Sequence, residues 1–259
     1  MIANYHTHTF RCGHAEGHER EYAAQAAKAG LSVLGFADHT PYDFFDVGPR
    51  NRPMRMMPEE LPEYAASVRS LGEEYAGKLE IRLGLEAEYY PRYFPRLLEL
   101  VRGEGVEYLL LGQHFLHNEV DGSYAGMPTT DEKALDTYVS QSMEAMETGL
   151  FTYFAHPDLF RFTGDGRTYE KAMTKLCRKA RETDTPLEIN LLGLREGRHY
   201  PDGRFWQIAA REGCRAVLGA DAHQPRWVTD PAGEEKALGM AERLGLEVLT
   251  RVPLRRLAP

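Results

Sequence analysis

The chain has 259 residues, 42% of them hydrophobic and 27% charged, with a net charge of −8. That length suits one α/β domain better than two small ones, and the acidic balance counts against nucleic acid as the main partner. Three distant cysteines, Cys12, Cys177 and Cys214, form no CxxC and suggest neither a disulfide framework nor a thiolate zinc site.

The first residues, MIANYHTHTF, carry no basic segment and no apolar core, and no apolar run is long enough to span a bilayer. A soluble cytoplasmic chain without a signal peptide is expected. From there, strand and helix signals alternate. A strand over Ile2–Tyr5 precedes a helix over Glu19–Ala29, which Gly30 ends. A strand over Val33–Ala37 leads to a long loop, Thr40–Pro58, and a helix over Pro58–Tyr75 with proline and acids in its first turn. A strand over Leu79–Leu85, a helix over Arg92–Arg102 and a strand over Tyr108–Leu111 follow. After a second long loop, Leu116–Thr130, come a helix over Asp131–Thr148 and a strand over Phe151–Ala155. The remaining pairs are a helix over Tyr169–Thr183 with a strand over Leu187–Leu191, and a helix over Arg204–Glu212 with a strand over Ala216–Ala220. A last helix covers Glu234–Leu244. Short apolar strands alternating with helices predict a parallel sheet with right-handed crossovers. There are about seven βα units in one domain spanning residues 1–259, which fits either a barrel or a doubly wound open sheet.

The residues that end these strands favour the barrel. His6 and His8 follow the first run, with His14 just beyond; Asp38 and His39 follow the second, and Glu86 the third. His114, His156, and the pair Asp221 and His223 follow later ones. Scattered surface histidines would not recur at one end of successive strands, and donors from so many strands meet at one point only if the sheet closes. In His6-Thr7-His8 and Asp221-Ala222-His223, period-two alternation puts two donors on one side of an extended chain. Imidazole and carboxylate without thiolate suit Zn²⁺, Fe²⁺ or Mn²⁺. Nine donors are too many for one ion and suit two or three, with Glu86 shared. Paired ions of that kind serve hydrolysis, most naturally at phosphorus. Asp38 is read as orienting a ligating imidazole, and His18 and His117 as bystanders.

HTHT (6–9), CGH (12–14), DH (38–39), GLE (84–86), QH (113–114), HPD (156–158) and DAH (221–223) together resemble, in order, the motifs of the PHP (polymerase and histidinol phosphatase) superfamily. HTFRCGHAEG, Arg55-Met56, EIN-x-x-GLR (188–195) and YP (200–201) are similar to its histidinol-phosphatase branch. The resemblance implies a distorted TIM-like (βα)₇ barrel and a metal-dependent phosphomonoesterase, with L-histidinol phosphate, an intermediate of histidine biosynthesis, as leading substrate. It further implies that a first ion takes His6, His8, Glu86 and Asp221, a second Glu86, His114 and His156, and a third His14, His39 and His223. Two departures, Gln113 for a usual serine and Leu191-Leu192 for Thr-Ala, lie near the expected pocket and bear on the substrate rather than the metals. Other readings are a PHP phosphoesterase acting on nucleotides or short nucleic-acid ends, and a non-catalytic metal-binding or polymerase-accessory module.

A phosphomonoester dianion needs cations beyond the metals, and arginine offers a planar fork for its oxygens. Arg195, in the resembling motif beyond the sixth strand, is the first candidate; Arg161, Arg55 and Arg198 follow. A leaving alkoxide needs a proton, for which His199 and Asp158 are candidates. Asn190 is placed to hydrogen-bond substrate, and the methionines of Met54–Met57 are read as filling their own loop's core.

Overall fold

Each apolar run becomes a strand, and glycine or aspartate sets most helix ends. The computed structural model describes residues 1–42 and 54–257. Its strands are β1 (Ala3–Asn4), β2 (Val33–His39), β3 (Glu80–Ala87), β4 (Tyr108–Leu111), β5 (Phe151–Phe154), β6 (Leu187–Asn190), β7 (Arg215–Gly219) and β8 (Glu247–Leu249). The helices are α1 (Glu19–Lys28), α2 (Leu61–Glu74), α3 (Phe94–Gly103), α4 (Glu132–Glu147), α5 (Gly166–Glu182), α6 (Leu191–Glu196), α7 (Gly203–Arg211) and α8 (Pro231–Leu244). Residues 43–53, within the expected loop Thr40–Pro58, lie outside the described residues.

The sheet is parallel throughout and its strands follow chain order from β1 to β8. It curls as the strand-end donors required. Beyond β1 and β7 the chain forms a parallel bridge, Thr7 to Ala222, in which the His8 amide donates to the Ala222 carbonyl at 2.9 Å. Strand β8 was not expected. It pairs with Arg215–Val217 at the start of β7, so on the edge away from β6 that strand meets β8 along its first half and the segment after β1 beyond its end. The short helix α6 was also not expected; the Asn190 side chain caps it by accepting from the Gly193 amide. Aspartate caps likewise start two helices earlier than their apolar pattern indicates, Asp165 before α5 and Asp230 before α8.

Alternation sorts the strand residues into two layers. Leu109 and Leu111 join the large core between sheet and helices, while Tyr108 and Leu110 face the barrel interior with Tyr5, Val33, Ala37, Tyr153 and Val217. The Tyr108 hydroxyl donates within reach of the Tyr5 and Phe36 carbonyls, 2.8 and 2.9 Å away, so this apolar floor buries no unpaired phenol. The floor matters to function because it lies directly below the strand-end donors. No helix among the described residues is long and apolar enough to cross a membrane.

Candidate metal centre

The inward parity that builds the floor also builds the site. On β2 it runs through Val33 and Ala37 to His39, and on β3 through Gly84 to Glu86 and then Glu88. The register pairs His39 with Glu86 across the two strands. On β7 it runs from Val217 to Gly219 and on to Asp221. Asp38 has the opposite parity, and its Oδ1 lies behind the site, 3.9 Å from His8 Nδ1. It accepts from the Thr9 amide at 2.8 Å and the Thr9 hydroxyl at 2.6 Å, holding the segment that follows His8. Two glycines on the inward row make room for carboxylates. A Cβ at Gly112 would sit 2.0 Å from Glu86 Oε1, and one at Gly219 would sit 1.6 Å from Glu188 Oε1. Two donors come from strained backbone, since His156 and Asp221 have φ of 33° and 45°. Such outliers are held only where the surroundings over-determine them, commonly at functional sites.

The donors converge. Glu86 Oε2 lies 3.4 Å from His6 Nε2, 3.4 Å from His8 Nε2 and 3.2 Å from His39 Nδ1. Its other oxygen lies 2.9 Å from His156 Nε2 and 3.5 Å from His114 Nε2. Asp221 Oδ1 lies 3.6 Å from His6 Nε2, 3.3 Å from His8 Nε2 and 3.3 Å from His223 Nδ1. His14 and His223 bring their Nε2 atoms within 3.0 Å of each other. Donors 2.0–2.1 Å from a tetrahedral zinc are separated from one another by about 3.3 Å, the scale of these spacings.

Charge and orphaned atoms test the fit. Burial alone would raise the Glu86 carboxyl, but His114, His6 and His39 hold it well below the usual carboxylate range. Asp221 is held down in the same way by His6, His8 and His223 against its burial. Burial, with His223 nearby, pushes His8 down to about 3, and burial also lowers His39 and His14. The carboxylates are thus held ionised and His8, His39 and His14 neutral, the protonation states in which they bind metals, while neighbouring carboxylates outweigh burial and raise His6 and His114. Glu86 Oε2, Asp221 Oδ1 and His39 Nδ1 are buried with no hydrogen-bond partner among the described residues. Two buried carboxylate oxygens without a hydrogen-bond donor are costly unless a cation meets them. Buried clusters such as His6, His8 and Glu86, or His8, His39 and His223, are close enough to hold one.

Two carboxylates that sequence reasoning passed over support the donors from behind. Glu188 Oε1 is 2.7 Å from His6 Nδ1, and its other oxygen accepts from the His156 amide at 3.0 Å. Glu88 Oε1 is 2.8 Å from His114 Nδ1 and is itself held by Arg55 at 3.2 Å. The period-two pairs Glu86/Glu88 and Glu188/Asn190 were the available signal. Asn190 is buried and donates to Asp221 Oδ2 and Glu188 Oε2, both at 3.0 Å. It steadies those two carboxylates and is not among the residues lining the cavity, where contact with substrate was expected of it.

Above the donors opens a cavity of about 720 Å³, lined by Arg55, Arg195, Arg198, Tyr124, Tyr200 and Trp227 among others. Arg195 lies over the Trp227 ring at 4.5 Å and donates to Asp230 at 3.3 Å, and its buried Nη2 has no partner among the described residues. Arg198 donates to Glu196 and to the Tyr200 hydroxyl, each at 2.8 Å. Arg55 is almost wholly buried, held by the Thr40 carbonyl, Glu88 and Glu119. Three further candidates lie outside this lining. Arg161 is exposed and does not line the cavity; its loop is pinned by its own backbone to Ala125 and Thr129. His199 is engaged by the Leu159 carbonyl at 2.7 Å, outside the lining. Asp158 accepts from the Trp206 indole and the Asp202 amide, which anchors α7 rather than the reaction. Of the two departures, Gln113 is spent on the Tyr89 amide and Phe115 carbonyl, and Leu192 lines the cavity while Leu191 packs in the core.

A family model described as PHP domain matches residues 4–191. A probable histidinol-phosphatase of Deinococcus radiodurans is 34% identical over 232 residues, 86% of this chain and 87% of that protein. The Bacillus subtilis histidinol-phosphatase is 26% identical, covering 85% of this chain and 92% of its own length. Among solved structures, the histidinol phosphate phosphatase of Lactococcus lactis, complexed with zinc, L-histidinol and phosphate, superposes with a TM-score of 0.73 at 20% identity. That match covers 96% of this chain and 95% of that one.

Proposed function

This chain belongs to the PHP-domain family, and we propose that it is a metal-dependent histidinol-phosphatase, converting L-histidinol phosphate and water to L-histidinol and phosphate. The observation that carries this reading is the convergence of nine imidazole and carboxylate donors, with bare Glu86 and Asp221 oxygens, beneath an arginine-walled cavity.

His6, His8, Glu86 and Asp221 would hold a first ion, Glu86, His114 and His156 a second, and His14, His39 and His223 a third. When bound, such ions (Zn²⁺, Fe²⁺ or Mn²⁺) supply Lewis acidity toward the phosphoryl oxygens and the attacking water. The chain's own residues do the rest. Glu188 and Glu88 accept the Nδ1 hydrogens of His6 and His114, which fixes the tautomer and turns each Nε2 inward. Arg195 offers its Nη2 to the phosphoryl group, held by Trp227 and Asp230, while Arg198 and Arg55 add positive charge to the cavity lining. Glu16 and Glu196 also line the cavity and supply negative charge for the amine and imidazole of the substrate. A cavity of about 720 Å³ lined by charges of both signs suits a small phosphorylated molecule rather than a polymer.

The metal-loaded protein is to be assayed on L-histidinol phosphate, nucleoside monophosphates and a phosphodiester. At least a 100-fold preference in kcat/KM for histidinol phosphate is expected. Preference for a nucleotide would transfer the substrate to the other PHP branches, and inertness to every phosphoester would leave only a metal-binding module.

A further inference from the structure

The loop after α6 places one phenol in the cavity that the arrangement above does not use. Tyr200 lines the cavity yet is only 3% exposed, and its ring lies 6.0 Å from that of His156. Its seat is built in. A Cβ at Gly193 would come within 2.6 Å of the Tyr200 ring, so only glycine there lets the ring pack against the start of α6. The Gly193 carbonyl in turn accepts from the Arg198 amide at 2.9 Å, which closes the loop around the ring. The hydroxyl oxygen accepts from Arg198 Nη1 at 2.8 Å, and its own O–H donates to no protein atom among the described residues. A buried hydroxyl whose lone pair is taken by a guanidinium has its proton left for something in the cavity. Burial also pushes the phenol upward, so it stays a donor throughout the neutral range.

We propose that Tyr200 is a catalytic residue, its O–H donating a hydrogen bond to an oxygen of the phosphoryl group during phosphomonoester hydrolysis. This rests on the hydrolase reading above. In the step it assists, the oxygen of water forms a bond to phosphorus and the bond from phosphorus to the leaving oxygen breaks, its electron pair remaining on that oxygen. One water proton ends on the released alcohol and the other stays on the phosphate. Tyr200 keeps its proton and stabilises charge on the oxygen it meets. Arg198 contributes by sharing the phenol oxygen, which polarises the O–H bond toward the cavity.

The test compares wild type, Tyr200→Phe, Arg198→Ala and the double variant on histidinol phosphate and p-nitrophenyl phosphate, with bound zinc and unfolding temperature measured for each. Phenylalanine keeps the ring and its packing, so metal content and unfolding temperature should match wild type. One well-placed donor is worth about 100-fold in kcat, and Tyr200→Phe should lose on that order while KM changes less. The double variant should be slower than Arg198→Ala alone. A double variant no slower than Arg198→Ala would mean that Tyr200 only positions the arginine and would overturn the proposal. So would a Tyr200→Phe enzyme of wild-type kcat. A wild-type chain inert to both substrates would instead remove the hydrolase reading on which the proposal stands.

Discussion

His6 Nδ1 meets Glu188 Oε1 at 2.7 Å, with both side chains fully out of solvent. A carboxylate can only accept, so Nδ1 carries a hydrogen toward Glu188 and Nε2 is the atom that faces Glu86 and Asp221. Burial by itself would lower His6, but Glu188, Asp221 and Glu86 outweigh it and raise the ring well above its ordinary value. The pair therefore sets both the aim and the basicity of one donor.

Replacing Glu188 by glutamine should weaken metal binding by about 10–100-fold, the usual cost of losing a carboxylate behind a ligating histidine. Zinc titration of the stripped variant checks this directly. Wild-type affinity would show that Glu188 merely fills space.

Gly219→Ala should drive the Glu188 carboxylate out of place, and Gly112→Ala should do the same to Glu86. Each substitution is expected to cut kcat/KM at least 10-fold and, as overpacking, to cost about 1–3 kcal/mol of stability. Gly203→Ala serves as the control, because nothing lies within 4 Å of its added Cβ. Equal behaviour of all three variants in thermal melts and assays would contradict the close approaches described here.

Stripping the metals should lower stability as well as abolish turnover. An ion at 100 times its dissociation constant stabilises the native state by about 2.7 kcal/mol. For a chain of this size that is an unfolding-temperature drop of about 5–10 °C on chelation, reversed by zinc or manganese. His114→Ala and Glu86→Ala should be inactive while folded. Full turnover by either, at confirmed metal content, would dismantle the proposed centre.

Arg195→Ala should lower kcat/KM for the phosphomonoester by about 100-fold, a charge-assisted hydrogen bond contributing roughly 1.5–3 kcal/mol. Arg195→Lys should recover little of it. Lysine keeps the charge but loses the fork that lies over Trp227 and reaches Asp230. Steady-state kinetics of the two variants decide the matter; near-normal rates in both would move the phosphate anchor to Arg198 or Arg55.

The donor set was legible in the chain because ligation uses residue type and strand position, both local properties. His6, His8, Glu86, His114, His156, Asp221 and His223 each follow an apolar run, and parallel strands present their ends on one side. What the line of residues did not contain was which neighbour each side chain would find. Nothing in the chain assigned Glu188 or Glu88 a partner; the curled sheet set them behind His6 and His114. Arg161, His199 and Asp158 had suitable chemistry but were turned aside by backbone pairing, by the Leu159 carbonyl and by Trp206. Asn190 became a cap and a brace. Loop residues have no fixed period, so their direction depends on contacts made across the whole barrel. The apolar pattern and the strand-end donors thus determined the α/β class and the metal chemistry. Which arginines, and which phenol, line the cavity was decided only by tertiary packing.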